Sequence, residues 1–297
     1  MNGQRPSDFP GEPLVSLGTE RSGLAWTLEK TPSGVRSAEI MAHSPQEPSR
    51  RILGIDFYAG TPAGAVQRSL RGGLVVVPSA PVLVNATVEP ATLAALLESD
   101  LALTDSGLMV LYWNLTRRDT LRRLSGLEYL KLLLAEPSVR EPGALFWVMP
   151  NPAAIERNQA WLKTQGFPVD PDDFYPAPQY PSGFLDDPDL VAILRERKPK
   201  HIILAIGGGV QERLGLHLKR SLDYRPGIHG IGAAIGFLNG DQVHIPDWAD
   251  RFFLGWLFRC FQSPGRFIPR YWNARVLIKI LHKYGKNPPP PAHETGS

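Results

Sequence analysis

From Ile52 onward the chain alternates short apolar runs with segments of helical period. The runs Ile52–Phe57, Leu74–Pro78, Leu108–Trp113, Ala144–Met149 and His201–Ile206 are each five or six residues of mostly branched or aromatic side chains, and each predicts a buried strand. Between them, helices are predicted from Thr61-Pro62, an N-cap with proline in the first turn, to about Leu70, and over Pro90–Leu97, Asp119–Leu134, Ala153–Thr164, Leu190–Arg197 and Gln211–Arg220. Gly227–Leu238 predicts a last buried strand entering a helix or turn. Strands separated by helix-length segments imply an α/β fold, a mostly parallel Rossmann-like sheet with helices on both faces.

The ends differ from this body. Residues 1–50 are rich in Pro, Gly, Ser and Glu, have weak periodicity, and read as a disordered leader that finishes in the linker His43–Arg51. Residues 51–245 form the α/β body. After Pro246 the chain becomes aromatic and basic, with Phe252, Phe253, Trp256, Phe258, Phe261, Phe267, Tyr271 and Trp272 interleaved with arginines. The last helix is amphipathic: Arg275, Lys279, His282, Lys283 and Lys286 fall on one side, and Val276, Leu277, Ile280, Leu281 and Tyr284 on the other. A disordered tail follows.

Composition excludes several classes. The 297 residues are 43% hydrophobic and 21% charged, which rules out disorder of the whole chain. A single cysteine, Cys260, excludes an internal disulfide framework and a cysteine metal cluster; it reads as a small core residue and fits a reducing compartment. No stretch is apolar enough to span a bilayer, and the N-terminus lacks the pattern of a secretory signal. A cytoplasmic protein, soluble or peripheral, is expected. The net charge of +3 hides a division: Arg251 to Lys286 holds eight basic residues and no acidic one, so the remainder carries −5.

Chemistry can be sought in four places. The turn Gly207-Gly208-Gly209 between a strand and a helix would set backbone N–H groups and a helix dipole at the carboxyl edge of the sheet, where phosphates bind, although neither a Rossmann nor a Walker spacing is present. Gln211 and Glu212 open that helix; Glu212 complements the dipole, whereas Gln211 has no such electrostatic reason to be there. Asp105 in Thr104–Gly107 is either a general base or a turn residue bonded to its own backbone, and Arg123 either an anion ligand or a solvated helix charge. Ser106 is not in a nucleophile elbow. Asp170-Pro171-Asp172 and Asp187-Pro188-Asp189 could hold a divalent ion or merely cap turns, and the seven histidines show no metal-ligand spacing. For the basic aromatic C-terminal segment a solvated helix and nucleic-acid binding compete with docking on an anionic membrane, which explains most of its composition; nothing upstream resembles a nucleic-acid module.

Taken in order, several segments resemble the bacterial glycosyltransferase family named after its WecG, TagA and CpsF members. The resemblance runs from about Ile52 to Tyr271 through ILGIDFYAGTPAGAV, LTDSGLMV, RRLSGLEYL, IGGGVQERL and the closing IGAAIGFLNGDQVHIPDWADRFFLGWLFRCFQSPGRFIPRYW. It implies inverting, metal-independent transfer of N-acetylmannosamine or a related hexose from a UDP-sugar donor to a lipid-linked saccharide acceptor at the inner face of the membrane, without a cofactor. Residues 51–245 would be the catalytic domain and 246–297 a membrane-docking appendage. The resemblance makes Asp105 the general base and Gln211 a substrate contact, with Arg123, Ser125, Gly208, Gly209 and Glu212 as further substrate-binding candidates. Arg259, Arg266 and Arg270 would bind the diphosphate. The family's Thr-x-Asn is replaced by Pro78-Ser79-Ala80. Two alternatives stay open, a metal-dependent transferase using an Asp-x-Asp triplet and a non-catalytic binder of nucleotide-sugar or saccharide; the homo-oligomeric state is also open.

Overall fold

The computed structural model describes residues 48–240 and 275–290. Eight strands make one sheet: β1 (Ser49–Ile52), β2 (Ile55–Tyr58), β3 (Gly73–Val76), β4 (Leu101–Ala102), β5 (Leu145–Met149), β6 (Phe174–Pro176), β7 (His201–Leu204) and β8 (Gly227–Gly230). Their order is β1-β2-β4-β3-β8-β7-β5-β6, parallel throughout except for β1, which pairs antiparallel with β2. The expected α/β architecture is therefore present.

Helices cover both faces. On one lie α2 (Ala80–Asn85), α3 (Pro90–Leu97), α4 (Gly107–Arg117), α7 (Pro188–Arg197), α8 (Val210–Ser221) and α9 (Val276–Tyr284), packed with alternate residues of the strands such as Leu74, Val76, Ile202 and Leu204. On the other lie α1 (Pro62–Ser69), α5 (Gly126–Ala135), α6 (Pro152–Thr164) and the 3-10 turn Gly232–Phe237, packed with Val75, Leu145, Trp147 and Ile203. The two-residue alternation along each strand feeds two separate cores, which is why these strands read as continuous apolar runs.

Several expectations are corrected. The run Ile52–Phe57 is no single strand: Leu53 and Gly54 have φ of +54° and +80° and fold it into the β1–β2 hairpin. The leader expected over residues 1–50 reaches too far, because Ser49 and Arg50 belong to β1; residues 1–47 lie outside the described residues. The strand expected at Leu108–Trp113 is helix α4, opened by the Ser106 hydroxyl accepting from Met109 N at 3.3 Å. A short apolar run carries no period of its own, so a cap decides. The helix expected from Asp119 starts only at Gly126, capped by Ser125. Gly227–Leu238 is, as expected, a buried strand entering a turn, here four residues followed by a 3-10 turn. The elements α2, β4 and β6 were not anticipated at all.

The last helix also differs from expectation. Its apolar side is spent on the body: Leu277 and Leu281 are fully buried and pack in the core beside α2 and α4. Only its basic side, with Val276 and Ile278, faces outward. An apolar face already buried in protein is not available to a bilayer, so of this helix only the basic side could meet an anionic surface.

Candidate functional site

The sheet has its topological switch between β3 and β8. After β3 the chain leaves to one face, into α2; after β8 it leaves to the other, into residues 231–237. Diverging connections open a crevice beyond the carboxyl ends of parallel strands, the place where such sheets bind ligands. β4 and β7 flank the pair, so the segments that follow them, Thr104–Ser106 and Gly207–Gln211, reach the same edge.

Asp105 follows β4. Its Oδ1 accepts from Gly126 N at 3.2 Å and lies 3.6 Å from Nη2 of Arg123, whose Nε donates to the Asp105 carbonyl at 2.8 Å. Both side chains are partly exposed, at 24% and 19%. Arg123 is brought there by Thr104, whose hydroxyl donates to Arg122 O and accepts from Leu124 N, folding residues 122–124 back onto the strand end. It stands in an extended link before α5, not on the helix expected for it. The Gly126 N–H that holds Asp105 is one of the unpaired donors of the α5 N-terminus, so the carboxylate also sits at the positive end of that helix. A side chain at Gly126 would meet Val77 at 3.1 Å and Ile231 O at 3.6 Å, which is why glycine stands where α5 abuts β3 and β8.

The glycine turn forms the opposite wall. Gly209 has φ +91°, and a Cβ on Gly208 would lie 2.8 Å from Val82 of α2. Gly207 and Gly208 are exposed; Gly209 is buried. The Gly209 peptide is gripped at both ends: its N–H donates to Glu212 Oε2 at 2.6 Å and its carbonyl accepts from Arg213 Nε at 3.3 Å. Gln211 ties α8 to the end of β8: its Oε1 accepts from Gly232 N at 2.6 Å, while Nε2 donates to Gly230 O at 3.2 Å and Glu212 Oε1 at 3.0 Å. Contacts in sequence thus run from Asp105 to Gly126, from Gly126 to Ile231, and from Gly232 to Gln211.

These bonds sort the candidates. Glu212 is wholly buried, burial pushes its pKa up, and both oxygens are bonded within the turn, so it shapes the turn and cannot reach a ligand there. Gln211 has both amide hydrogens engaged and one acceptor position left on Oε1. Ser125 accepts from Glu128 N at 3.1 Å as the cap of α5. Arg259, Arg266, Arg270 and Cys260 lie outside the described residues. The Asp triplets have other work: Asp170, Asp172 and Asp173 surround Arg197, and Asp187 caps α7 while accepting from Tyr175 and Tyr180. Among the described residues no group of three metal-ligating side chains converges.

Reading the sequence missed the support behind the turn. Asn85 of α2 would be 3.6 Å from a Cβ on Gly209, and its amide donates to Glu89 at 2.7 Å. Glu89 also receives Thr92, the N–H of Gly183 and the Arg213 guanidinium at 3.4 Å; Arg213 in turn donates to the carbonyls of Pro181 and Gly183. Burial alone would raise the Glu89 pKa, but these donors and the arginine charge outweigh it and hold the carboxyl below its ordinary range. The polar, helix-spaced positions of Glu89 and Arg213 carry no pattern that distinguishes them from surface charges.

A sequence model of the glycosyl transferase WecG/TagA/CpsF family matches residues 50–288. No curated protein matches the chain.

Proposed function

The chain belongs to the glycosyl transferase WecG/TagA/CpsF family, and from that premise we propose that it moves a hexose, N-acetylmannosamine or a relative, from a UDP donor to a polyprenyl-diphosphate-linked saccharide, with inversion and without a metal. Family membership makes the protein a glycosyltransferase of cell-surface polysaccharide synthesis. The observation that carries the finer reading is the carboxylate of Asp105 held at the N-terminus of α5 beside a crevice whose other wall is a glycine turn at the N-terminus of α8.

In this mechanism an acceptor hydroxyl attacks the anomeric carbon of the donor as Asp105 takes its proton. The new carbon–oxygen bond forms as the bond to the diphosphate breaks, and UDP leaves with that electron pair. Backbone N–H groups of the Gly207–Gly209 turn and the guanidinium of Arg123 offset the charge that builds on the diphosphate, as Arg259, Arg266 and Arg270 would. The free acceptor position of Gln211 is suited to one sugar hydroxyl. With Pro78-Ser79-Ala80 in place of Thr-x-Asn, Asn85, whose amide stands beside the glycine turn, is the candidate for its part. The Asp triplets, engaged by Arg197 and by the cap of α7, favour the metal-independent reading over the metal-dependent one.

The test is release of UDP from a panel of UDP-sugars with and without a polyprenyl-diphosphate saccharide. One donor should turn over, only with acceptor, and equally in EDTA. Turnover that EDTA abolishes would favour the metal-dependent enzyme, and binding of donor without turnover the non-catalytic binder. No helix among the described residues is long and apolar enough to cross a membrane. We place the protein peripherally on the inner face, on its basic residues.

A further inference from the structure

Away from the crevice, at the outer edge of the sheet, lies a cavity of about 380 Å³ walled by Ser49, Arg50 and Arg51 of β1, Trp113, Arg117 and Asp119 around the end of α4, and Lys286 after α9. Four cationic side chains face one carboxylate. That carboxylate is already committed: Asp119 receives Arg50 at 2.6 and 3.2 Å, Thr120 N at 2.8 Å and the Trp113 indole. Arg51 has only a 4.0 Å approach to exposed Asp56. Arg117 and Lys286 have no carboxylate within ion-pair distance among the described residues.

These two cations are held in place. Arg117 stacks its guanidinium 5.4 Å from the Trp113 ring centre, and its Nη2 would be 3.2 Å from a Cβ on Gly285. Glycine at that position, with φ +56°, leaves the space the guanidinium occupies and brings Lys286 beside it. The carbonyls of Gly285 and Lys286 accept from Leu53 N and Gly54 N, both at 2.9 Å, so they are turned to the hairpin and do not neutralise the cations. A side chain at Gly54 would strike Pro288, so the hairpin and the tail are fitted to each other. Like charges gathered in a concavity repel one another and focus a field that attracts a counter-ion. A planar guanidinium beside an ammonium matches a tetrahedral oxyanion.

We propose that this cavity is a phosphate-binding site, separate from the transfer crevice, that takes the phosphoryl headgroup of a lipid or a free phosphate between Arg117 and Lys286. Bound there, the anion ties the tail of α9 to α4 and β1.

The experiment uses the full chain and inorganic phosphate, followed by calorimetric titration, and needs no sugar donor, so its outcome is independent of the transferase reading. Arg117→Gln combined with Lys286→Gln should weaken phosphate binding at least about tenfold, because both charged contacts to the anion are lost. Lys279→Gln combined with Lys283→Gln removes the same charge from the outer face of α9 and should leave the affinity within about twofold, a difference under ~0.5 kcal/mol. Co-sedimentation with phosphatidylglycerol and phosphatidylcholine vesicles separates the sources. If the cavity pair loses phosphatidylglycerol binding more than the α9 pair does, the site takes a lipid headgroup. If only phosphate binding falls, it takes free phosphate. Absence of saturable phosphate binding, unchanged binding in the cavity variant, or equal loss in both variants would overturn the proposal.

Discussion

Asp105 is held through one oxygen, Oδ1, and this division makes its role testable at the level of single atoms. Asp105→Asn keeps the size of the group and removes its basicity, so kcat for UDP release should fall at least ~100-fold, the usual scale of general-base catalysis, with a smaller change in KM. An unchanged kcat would remove it as the base. Glu212 makes a contrasting prediction. It touches no open surface, and truncation leaves the Gly209 N–H and one Gln211 hydrogen buried without acceptors. Glu212→Ala should therefore cost about 2–4 kcal/mol in urea unfolding, while Glu212→Gln, which keeps an oxygen, costs less. Neither role can be read from the letters Gln-Glu alone. They follow from which side chain ends in the glycine turn and which ends on the carboxyl end of β8.

Among the elements, α9 carries the largest revision. Its amphipathic period was legible in the sequence, but the period says only that one side is apolar and not what covers it. Here α2 and α4 cover it. Leu281→Ala should cost about 2–5 kcal/mol by denaturant unfolding, as for a core leucine, whereas Lys283→Ala on the outer side should stay within about 0.5 kcal/mol. A lipid-facing helix would not show the Leu281→Ala loss. The same reasoning explains α4. An apolar run after Asp105 suits a strand as well as a helix until the Ser106 cap is counted, and a strand there would have carried Arg123 away from Asp105. Strands β4 and β6, of two and three residues, offer too few positions for any period to register.

For the whole molecule, one consequence of the two-sided sheet is a buried pair of histidines. His229 in β8 is fully buried, accepts or donates at 2.8 Å with the Tyr129 hydroxyl, and lies 3.1 Å from His201 of β7. Burial, reinforced by Lys200, lowers the His201 pKa from 6.5 to about 4, and burial beside His201 holds His229 well below its ordinary value too. Both rings are thus neutral in the fold at pH values where they are charged in the unfolded chain. The stability they permit is full above pH 6.5 and is lost as pH falls, because the unfolded state then binds more protons. His201 alone accounts for a loss on the order of 3 kcal/mol between pH 6.5 and 4. Urea midpoints measured across that interval should fall steeply, and less so for His201→Gln; a flat profile would contradict the assignment.

Taken by itself, the sequence determined the class of fold and the order of most elements, because alternation of apolar runs with helical periods is a local property of the chain. It also determined that Gly207–Gln211 falls just past a strand, since the glycines mark the end of His201–Ile206, whereas the strand before Asp105 is too short to register. What it could not determine was which ends are neighbours. That Asp105 meets Arg123 and Gly126, that Gln211 closes on Gly232, and that Arg117 stands beside Lys286 depend on β8 inserting between β3 and β7 and on α9 docking against α4. Pairings between residues far apart in the chain, such as Leu53 with Gly285 and Tyr112 with His282, are decided by burial of two whole faces at once, and no local pattern encodes them.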